Sequence, residues 1–133
     1  MRAINARAKK TMDILTANCS EHIGDHDKFH TKPFMDVVVE YIDQCELGTM
    51  FSIAHYYKQN GDLMRDPEMC FIRGGDGEYY PYYYRVDGLG TEQNALWYED
   101  CKLKGYDSAM QKEHTIFANM WMQNIKRQQE SVR

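Results

Sequence analysis

Two dipeptides restrict what this chain folds into more than anything else in it. Asn60-Gly61 and Asp76-Gly77 each sit between runs of β-branched and aromatic residues. Both pairs favour the positive φ angles of a tight hairpin turn, Asp76-Gly77 most strongly. In "FMDVVVEYIDQ", Met35, Val37, Val39 and Tyr41 alternate with Asp36, Val38, Glu40 and Ile42, the period-two pattern of a half-buried strand. After a turn at "CELG", Phe51, Ile53, His55 and Tyr57 share one face of a second strand. The Asn-Gly turn opens a loop expected to run to Pro67, which has no backbone donor, and "EMCFIRG" follows as the third strand. The tyrosine run "EYYPYYYR" forms the next strand, with Pro81 at an edge or a bulge, and "TEQNALWYED" completes the sheet.

Helices flank this meander. Ile4, Ala8, Met12 and Leu15 fall on one face of a 3.6-residue period, which predicts a helix over residues 3 to 18. From Ser108 onward, Met110, His114, Phe117, Trp121 and Ile125 form a second stripe, flanked by Met120. Ser108 and Gln111 have the spacing of a capping box. The segment between the first helix and the first strand, "CSEHIGDHDKFHTKP", has no period and reads as loop or broken helix. The fold expected over residues 1–133 is therefore one α+β domain. A four- to five-stranded antiparallel meander carries the N- and C-terminal helices on one face.

Charge narrows the function classes. Residues 34–100 hold thirteen acids against Lys58, Arg65, Arg73 and Arg85, a net −9, whereas residues 1–33 carry +2 and residues 101–133 carry +3. An acidic centre repels a phosphate backbone and suits a protein partner with a basic surface. The four cysteines stand 25 or more residues apart, as expected of reduced and mostly buried thiols in a cytosolic chain. The first 19 residues hold no uninterrupted apolar stretch, so neither a secretory signal nor a membrane segment is expected.

Three groups of residues bear chemistry. His22, His26 and His30, with Cys19 before them, would line one face of a helix as zinc ligands, but Gly24 weakens such a helix and a solvated loop is the plainer reading. His55, Asp62, Asp66 and Glu68 offer ligands for a divalent ion, as in a metal-dependent nuclease. The lysine that such a nuclease needs on the next strand is missing, because none occurs between Lys58 and Lys102. Turn-forming roles for Asp62 and Asp66 are favoured over catalysis. The tyrosines at 79, 80, 82, 83 and 84 lack the positive surroundings that a base-stacking platform needs. No nucleophile elbow, phosphate loop or dinucleotide fingerprint occurs, and no cofactor is expected.

"SIAHYYKQNGDLMRDPEMCFI", then "YYPYYYRVDGLGTEQ" and the C-terminal aromatic helix, resemble a family of small proteins encoded on phages, plasmids and conjugative elements. The resemblance covers residues 12 to 128. It implies inhibition of a type II CRISPR nuclease, a non-enzymatic role, and it carries no catalytic residues. On this reading Asp62, Asp66, Glu68, Asp76, Glu78 and Asp87 would meet the partner, with Tyr79 and Tyr83 as aromatic anchors. A metal-dependent enzyme and a nucleic-acid-binding accessory protein of a mobile element are the alternatives.

Overall fold

In a computed structural model, described here for residues 1–131, the Asn-Gly and Asp-Gly turns fall where expected and organise the sheet. The elements run α1 (Ala6–Thr16), β1 (His26–Phe29), β2 (Val37–Cys45), β3 (Gly48–Gln59), β4 (Asp62–Gly74) and β5 (Tyr79–Val86). A short 3₁₀ turn (Asp87–Leu89) leads to β6 (Thr91–Asn94), β7 (Leu96–Glu99), β8 (Lys102–Tyr106) and α2 (Ser108–Ser131). Strands β1 to β6 form one antiparallel sheet in sequence order, and β7 pairs only with β8. The fold is α+β, as expected, with more strands than the sequence pattern revealed.

The Asn60-Gly61 turn is tighter than expected. Asn60 (φ 52) and Gly61 (φ 86) both take positive φ, and Gln59 pairs directly with Asp62. Residues 62–66 are therefore strand and not loop, so β4 runs for 13 residues through Pro67. The proline is accommodated because β4 bulges there. Ala54 pairs with Glu68 and Tyr56 with Arg65, which leaves Asp66 and Pro67 opposite His55 alone. Pro81 likewise sits beside a register shift between Cys70 and Phe71, beyond the part of β5 that β6 pairs.

One face of the sheet carries both helices. Val37, Val39, Tyr41, Phe51, Ile53, Met69, Phe71 and Tyr79 pack against Ile4, Ala8, Met12 and Leu15 of the N-terminal segment and Ala118, Trp121, Met122 and Ile125 of α2. Alternation put these residues on one side, and the helical stripes cover them. The other face holds a smaller cluster of Cys45, Met50, Cys70, Ile72 and Tyr82, which Leu96 caps. The stretch "TEQNALWYED" was expected as one strand. At buried Ala95 it breaks, with Ala95 N–H donating to Tyr82 O and Asp107 N–H to Ala95 O, so its second half leaves the main sheet and folds over this face.

The helix starts differ from expectation in a physical detail. Asn5 caps α1 by accepting from Ala8 N–H at 2.9 Å. For α2 the cap is Asp107, whose Oδ1 accepts from Met110 N–H at 3.1 Å, so the Ser108–Gln111 capping box does not form. Gln111 is instead buried, at 1% exposure. Its amide accepts from Arg2 N–H at 2.8 Å and donates to the carbonyls of Arg2 (2.8 Å) and Pro81 (3.0 Å). A buried amide satisfies its groups where it can, and here it stitches the N-terminal segment between α2 and β5. Of the expected α2 stripe, His114, Trp121 and Ile125 are buried, while Met110 and Phe117 lie at its margin and Met120 is exposed.

Candidate functional site

The residues expected to meet a partner do not form one surface. Asp62 stands at the first turn of β4, and Asp76 and Glu78 lie in the turn after its far end. Thirteen residues of strand at about 3.3 Å each hold these groups roughly 40 Å apart. Asp76 is tied into its own turn, accepting from Glu78 N–H at 2.9 Å and from the Tyr80 hydroxyl at 2.6 Å. Those two bonds hold its carboxyl below the usual range. Glu78 pairs with Lys9 at 3.5 Å.

Tyr79 is a correction. It is 0% exposed, and its hydroxyl bonds Asp13 at 2.7 Å and Thr16 at 3.1 Å, so it belongs to the core and cannot anchor a partner. Strand alternation and the Pro81 bulge scatter the other tyrosines as well. Tyr82 fills the second core, Tyr84 packs edge-on against Phe117 at 5.1 Å, and Tyr83 hydrogen-bonds Glu92. Burial first, then the Glu92 bond, pushes the Tyr83 hydroxyl up to about 12.

Glu68 and Asp87 join a network that neutralises them. Glu68 accepts from Ser52 and pairs with Arg65 at 3.3 Å. Asp87 accepts from Arg65 N–H at 2.9 Å and pairs with Arg85 at 2.7 Å, and Arg85 reaches Glu92 at 3.3 Å. The Arg65 backbone bond, with Arg85 beside it, holds the Asp87 carboxyl below the usual range. Three acids and two arginines thus knit β4, the 3₁₀ turn and β6 together.

The metal candidates do not converge either. Among the described residues no three His, Cys, Asp or Glu side chains are arranged to hold an ion. Glu68 bonds Ser52 on the face beside Cys70, whereas His55 packs edge-on against Trp121 on the helix face. His22, His26 and His30 are all exposed. His22 lies in a turn, His26 begins β1, and His30 contacts Asp36 at 3.2 Å. Cys19 and Cys70 are buried thiols, pushed up chiefly by burial, Cys19 to about 11. Such thiols are poor nucleophiles and poor metal ligands.

Two other places draw together groups that the sequence did not single out. The first is the β7–β8 hairpin. Trp97 is 54% exposed on its outer side, across from Gly105, whereas Tyr98 and Tyr106, at about two-fifths exposure, lie on the side of buried Leu96, Tyr98 near Cys45 and Cys70. Asp43 lies near enough to raise the Tyr98 hydroxyl, after burial. Glu46 is tied to the hairpin tip, its N–H donating to Cys101 O at 2.8 Å and its carboxylate accepting from Leu103 N–H at 2.6 Å. Glu99 and Asp100 are exposed at the same tip. Among the described residues, Asp36, Glu68, Glu78, Asp87 and Glu92 of the thirteen acids in residues 34–100 have ion-pair partners, and these four are half of the other eight. Lys102 and Lys104 on β8 offset them only in part. A Trp-Tyr signal was present in "ALWYED", but it read as strand filling.

The second place is a cleft of about 400 Å³ where the bulge of β3 and β4 meets α2. Pro33, Phe34 and Met35 form its apolar wall, His55, Asp66 and Pro67 its floor, and Trp121, Asn124 and Gln128 the helical side. His55 Nδ1 lies 3.2 Å from Asp36 O, and since a carbonyl only accepts, Nδ1 carries the proton. Burial lowers the His55 pKa, and the Asp36 carbonyl and Asp66 only partly offset this, so the ring is neutral with its Nε2 lone pair unprotonated. Trp121 Nε1 and Gln128 Oε1, both buried, find no hydrogen-bond partner among the described residues.

No curated protein and no solved structure matches this chain. Among the described residues no helix is long and apolar enough to cross a membrane. Residues 9–131 match the family model described as Domain of unknown function (DUF6908), and a chain matched over nearly its whole length belongs to that family.

Proposed function

We propose that this protein is a non-enzymatic binding protein that engages a basic protein surface through the β7–β8 hairpin. One observation supports this above the rest: the small β7–β8 hairpin leaves Trp97, Tyr98 and Tyr106 each more than a third exposed, and Asp43, Glu46, Glu99 and Asp100 belong to it or lie against it. Large aromatics carry most of the contact energy at protein interfaces, and a rim of one charge steers a partner of the other. The small sheet is itself seated on the main sheet through Leu96, so the aromatics are held on a supported platform. This moves the expected acidic, tyrosine-bearing contact surface from β4 and β5 to β7 and β8.

The resemblance to mobile-element inhibitors makes a type II RNA-guided nuclease the partner to try first, since such enzymes carry strongly basic channels. The test mixes purified protein with that nuclease and its guide, then follows co-elution and target cleavage. Co-elution and slowed cleavage, both lost in Trp97→Ala/Tyr106→Ala protein of unchanged melting temperature, are the expected results. Unchanged cleavage with no co-elution removes the nuclease as partner. Full binding by the double variant removes the hairpin as the surface.

A further inference from the structure

We propose that Cys45 and Cys101 form a redox-dependent disulfide that staples the tip of the β7–β8 hairpin to the main sheet. The two residues are distant in sequence, but a backbone hydrogen bond brings them together: Glu46 N–H donates to Cys101 O at 2.8 Å. That bond limits how far apart their Cα atoms can stand. The Cys45 Cα lies about 2.4 Å from the Glu46 nitrogen, and the N–H leaves at roughly a right angle to that line, so the Cys101 oxygen is about 4 Å away. The Cys101 Cα is about 2.4 Å from its own oxygen, which keeps the two Cα atoms within about 6.5 Å. A disulfide spans roughly 4.4–6.8 Å between Cα atoms, so the backbones already stand at a suitable separation. Both thiols also lie close enough to the Tyr98 hydroxyl to act on it, so the two sulfurs sit around one ring.

The other cysteines are placed differently. Cys19 belongs to the core on the helix face. Cys70 shares a cluster with Cys45 but stands two strands away, since Cys45 pairs with Gly48 on β3 and Cys70 lies on β4. Two strand spacings are about 10 Å, beyond what a disulfide spans. Cys101 is also an unusual occupant of its own position. It takes φ 63 in the hairpin turn, where glycine, asparagine or aspartate is favoured and other side chains are strained. A strained turn that places an exposed thiol next to a buried one points to a use for the thiol.

Oxidised glutathione is a sufficient oxidant. Exposed Cys101, as thiolate, attacks one glutathione sulfur, the glutathione S–S bond breaks, and one glutathione leaves as a thiolate that takes up a proton. Cys45, deprotonated in turn, attacks the Cys101 sulfur of this mixed disulfide and expels the second glutathione in the same way. Two protein thiols are oxidised, one glutathione disulfide is reduced to two thiols, and the two protons pass to the leaving groups. A reducing thiol pool reverses both steps, so the staple forms only under oxidation. In the reduced protein Glu46 holds the tip, through Cys101 O and Leu103 N–H, and the disulfide adds a covalent link beside it. This inference concerns how the hairpin is attached and does not rest on its being a contact surface.

The test incubates the folded, reduced full chain at low concentration with excess oxidised glutathione, blocks the remaining thiols and digests without reductant. Mass spectrometry should find two peptides linked through Cys45 and Cys101 and separated by reductant. Closing so long a loop should raise the melting temperature by about 5–10 °C. Cys101→Ser, an exposed substitution, should fold normally and show neither the link nor the rise. Cys45→Ala should stop at the mixed disulfide and keep one glutathione on Cys101. Absence of the linked peptides overturns the proposal, and so do linked peptides without a rise in melting temperature.

Discussion

Gln111→Leu should destabilise the protein by about 2–4 kcal/mol, although it swaps one residue for another of similar size. The amide of Gln111 touches four partners, namely Arg2 N–H, Arg2 O, Pro81 O and Thr115 Oγ1. Its NH₂ has two hydrogens, so at most three of these bonds hold at once. Each contributes about 0.5–1.5 kcal/mol net, and a buried carbonyl left without a donor costs about 1–3 kcal/mol. The groups of Arg2 lie near the surface and recover water, whereas the Pro81 carbonyl is buried and does not. Leucine returns some apolar burial, which keeps the total below the simple sum. At about 3–5 °C per kcal/mol for a chain of this size, the melting temperature should fall by roughly 10 °C.

Urea unfolding of three variants distinguishes this role from a capping box. Asp107→Ala should cost about 1 kcal/mol as the loss of a true cap, and Ser108→Ala, at an exposed first-turn position, close to nothing. A Gln111→Leu loss under about 0.5 kcal/mol would refute the stitching role. A Ser108→Ala loss equal to that of Asp107→Ala would restore the capping box.

Other outcomes follow from the same contacts. Tyr79→Phe should cost about 1–2 kcal/mol in urea unfolding, because it strips a buried hydroxyl from Asp13 and Thr16. Gly48→Ala should be among the most damaging single changes, since Gly48 sits at φ 147 and a methyl there would overlap the Arg73 carbonyl oxygen. Soluble, fully folded Gly48→Ala protein would contradict that geometry. The lowered pKa values of His55 and His114 give stability a definite pH slope. Unfolding lets both rings take up protons below about pH 6.5, so stability should drop as pH falls through that value, and less so in His55→Gln/His114→Gln protein. Asp87 acts in the same direction at lower pH. Its lowered carboxyl pKa stabilises the fold above the ordinary carboxylate range, and that contribution is lost only as pH falls through the native value. Asp87→Asn should therefore lower the urea midpoint at about pH 7 and narrow the difference at about pH 3.

Period and turn chemistry made the central sheet legible, because Val37, Val39, Tyr41, Phe51 and Ile53 alternate cleanly and every one is buried. What stayed hidden was set by tertiary context. "HDKF" has neither β-branched residues nor a clean apolar alternation, and becomes strand only because β2 offers it an edge. Strand β8, "KLKGY", likewise exists through pairing with β7 across a turn at Asp100 and Cys101, both at positive φ without being glycine. No dipeptide rule announces that turn. The capping-box motif at Ser108 was outcompeted by an aspartate one residue earlier, which freed Gln111 for the interior. The candidate sites were less legible than the fold. Acid count along the chain shows net charge but not which acids meet arginines, and that decision is made across strands, as when Arg65 reaches Asp87 over 22 residues.

The bulge at Pro67 shows how these levels connect. Had β4 continued without it, its register would have been the same on both sides of His55, and Asp66 and Pro67 would each have faced one residue of β3. The extra residue opens the sheet where α2 crosses it, and the cleft forms there because the Trp121 ring packs edge-on to His55 at 5.4 Å and does not fill the gap. Beyond the bulge, Arg65 comes opposite Tyr56 and within reach of Glu68 and Asp87. One irregularity therefore creates an open polar cleft on the helix face and directs an arginine into the acids of the other. It ties Glu68 and Asp87 into ion pairs with Arg65 and leaves Asp66 without an ion-pair partner among the described residues. The acidic middle of the chain is thereby divided into charge that holds the sheet together and charge without an ion-pair partner among the described residues, of which Asp43, Glu46, Glu99 and Asp100 lie at the hairpin.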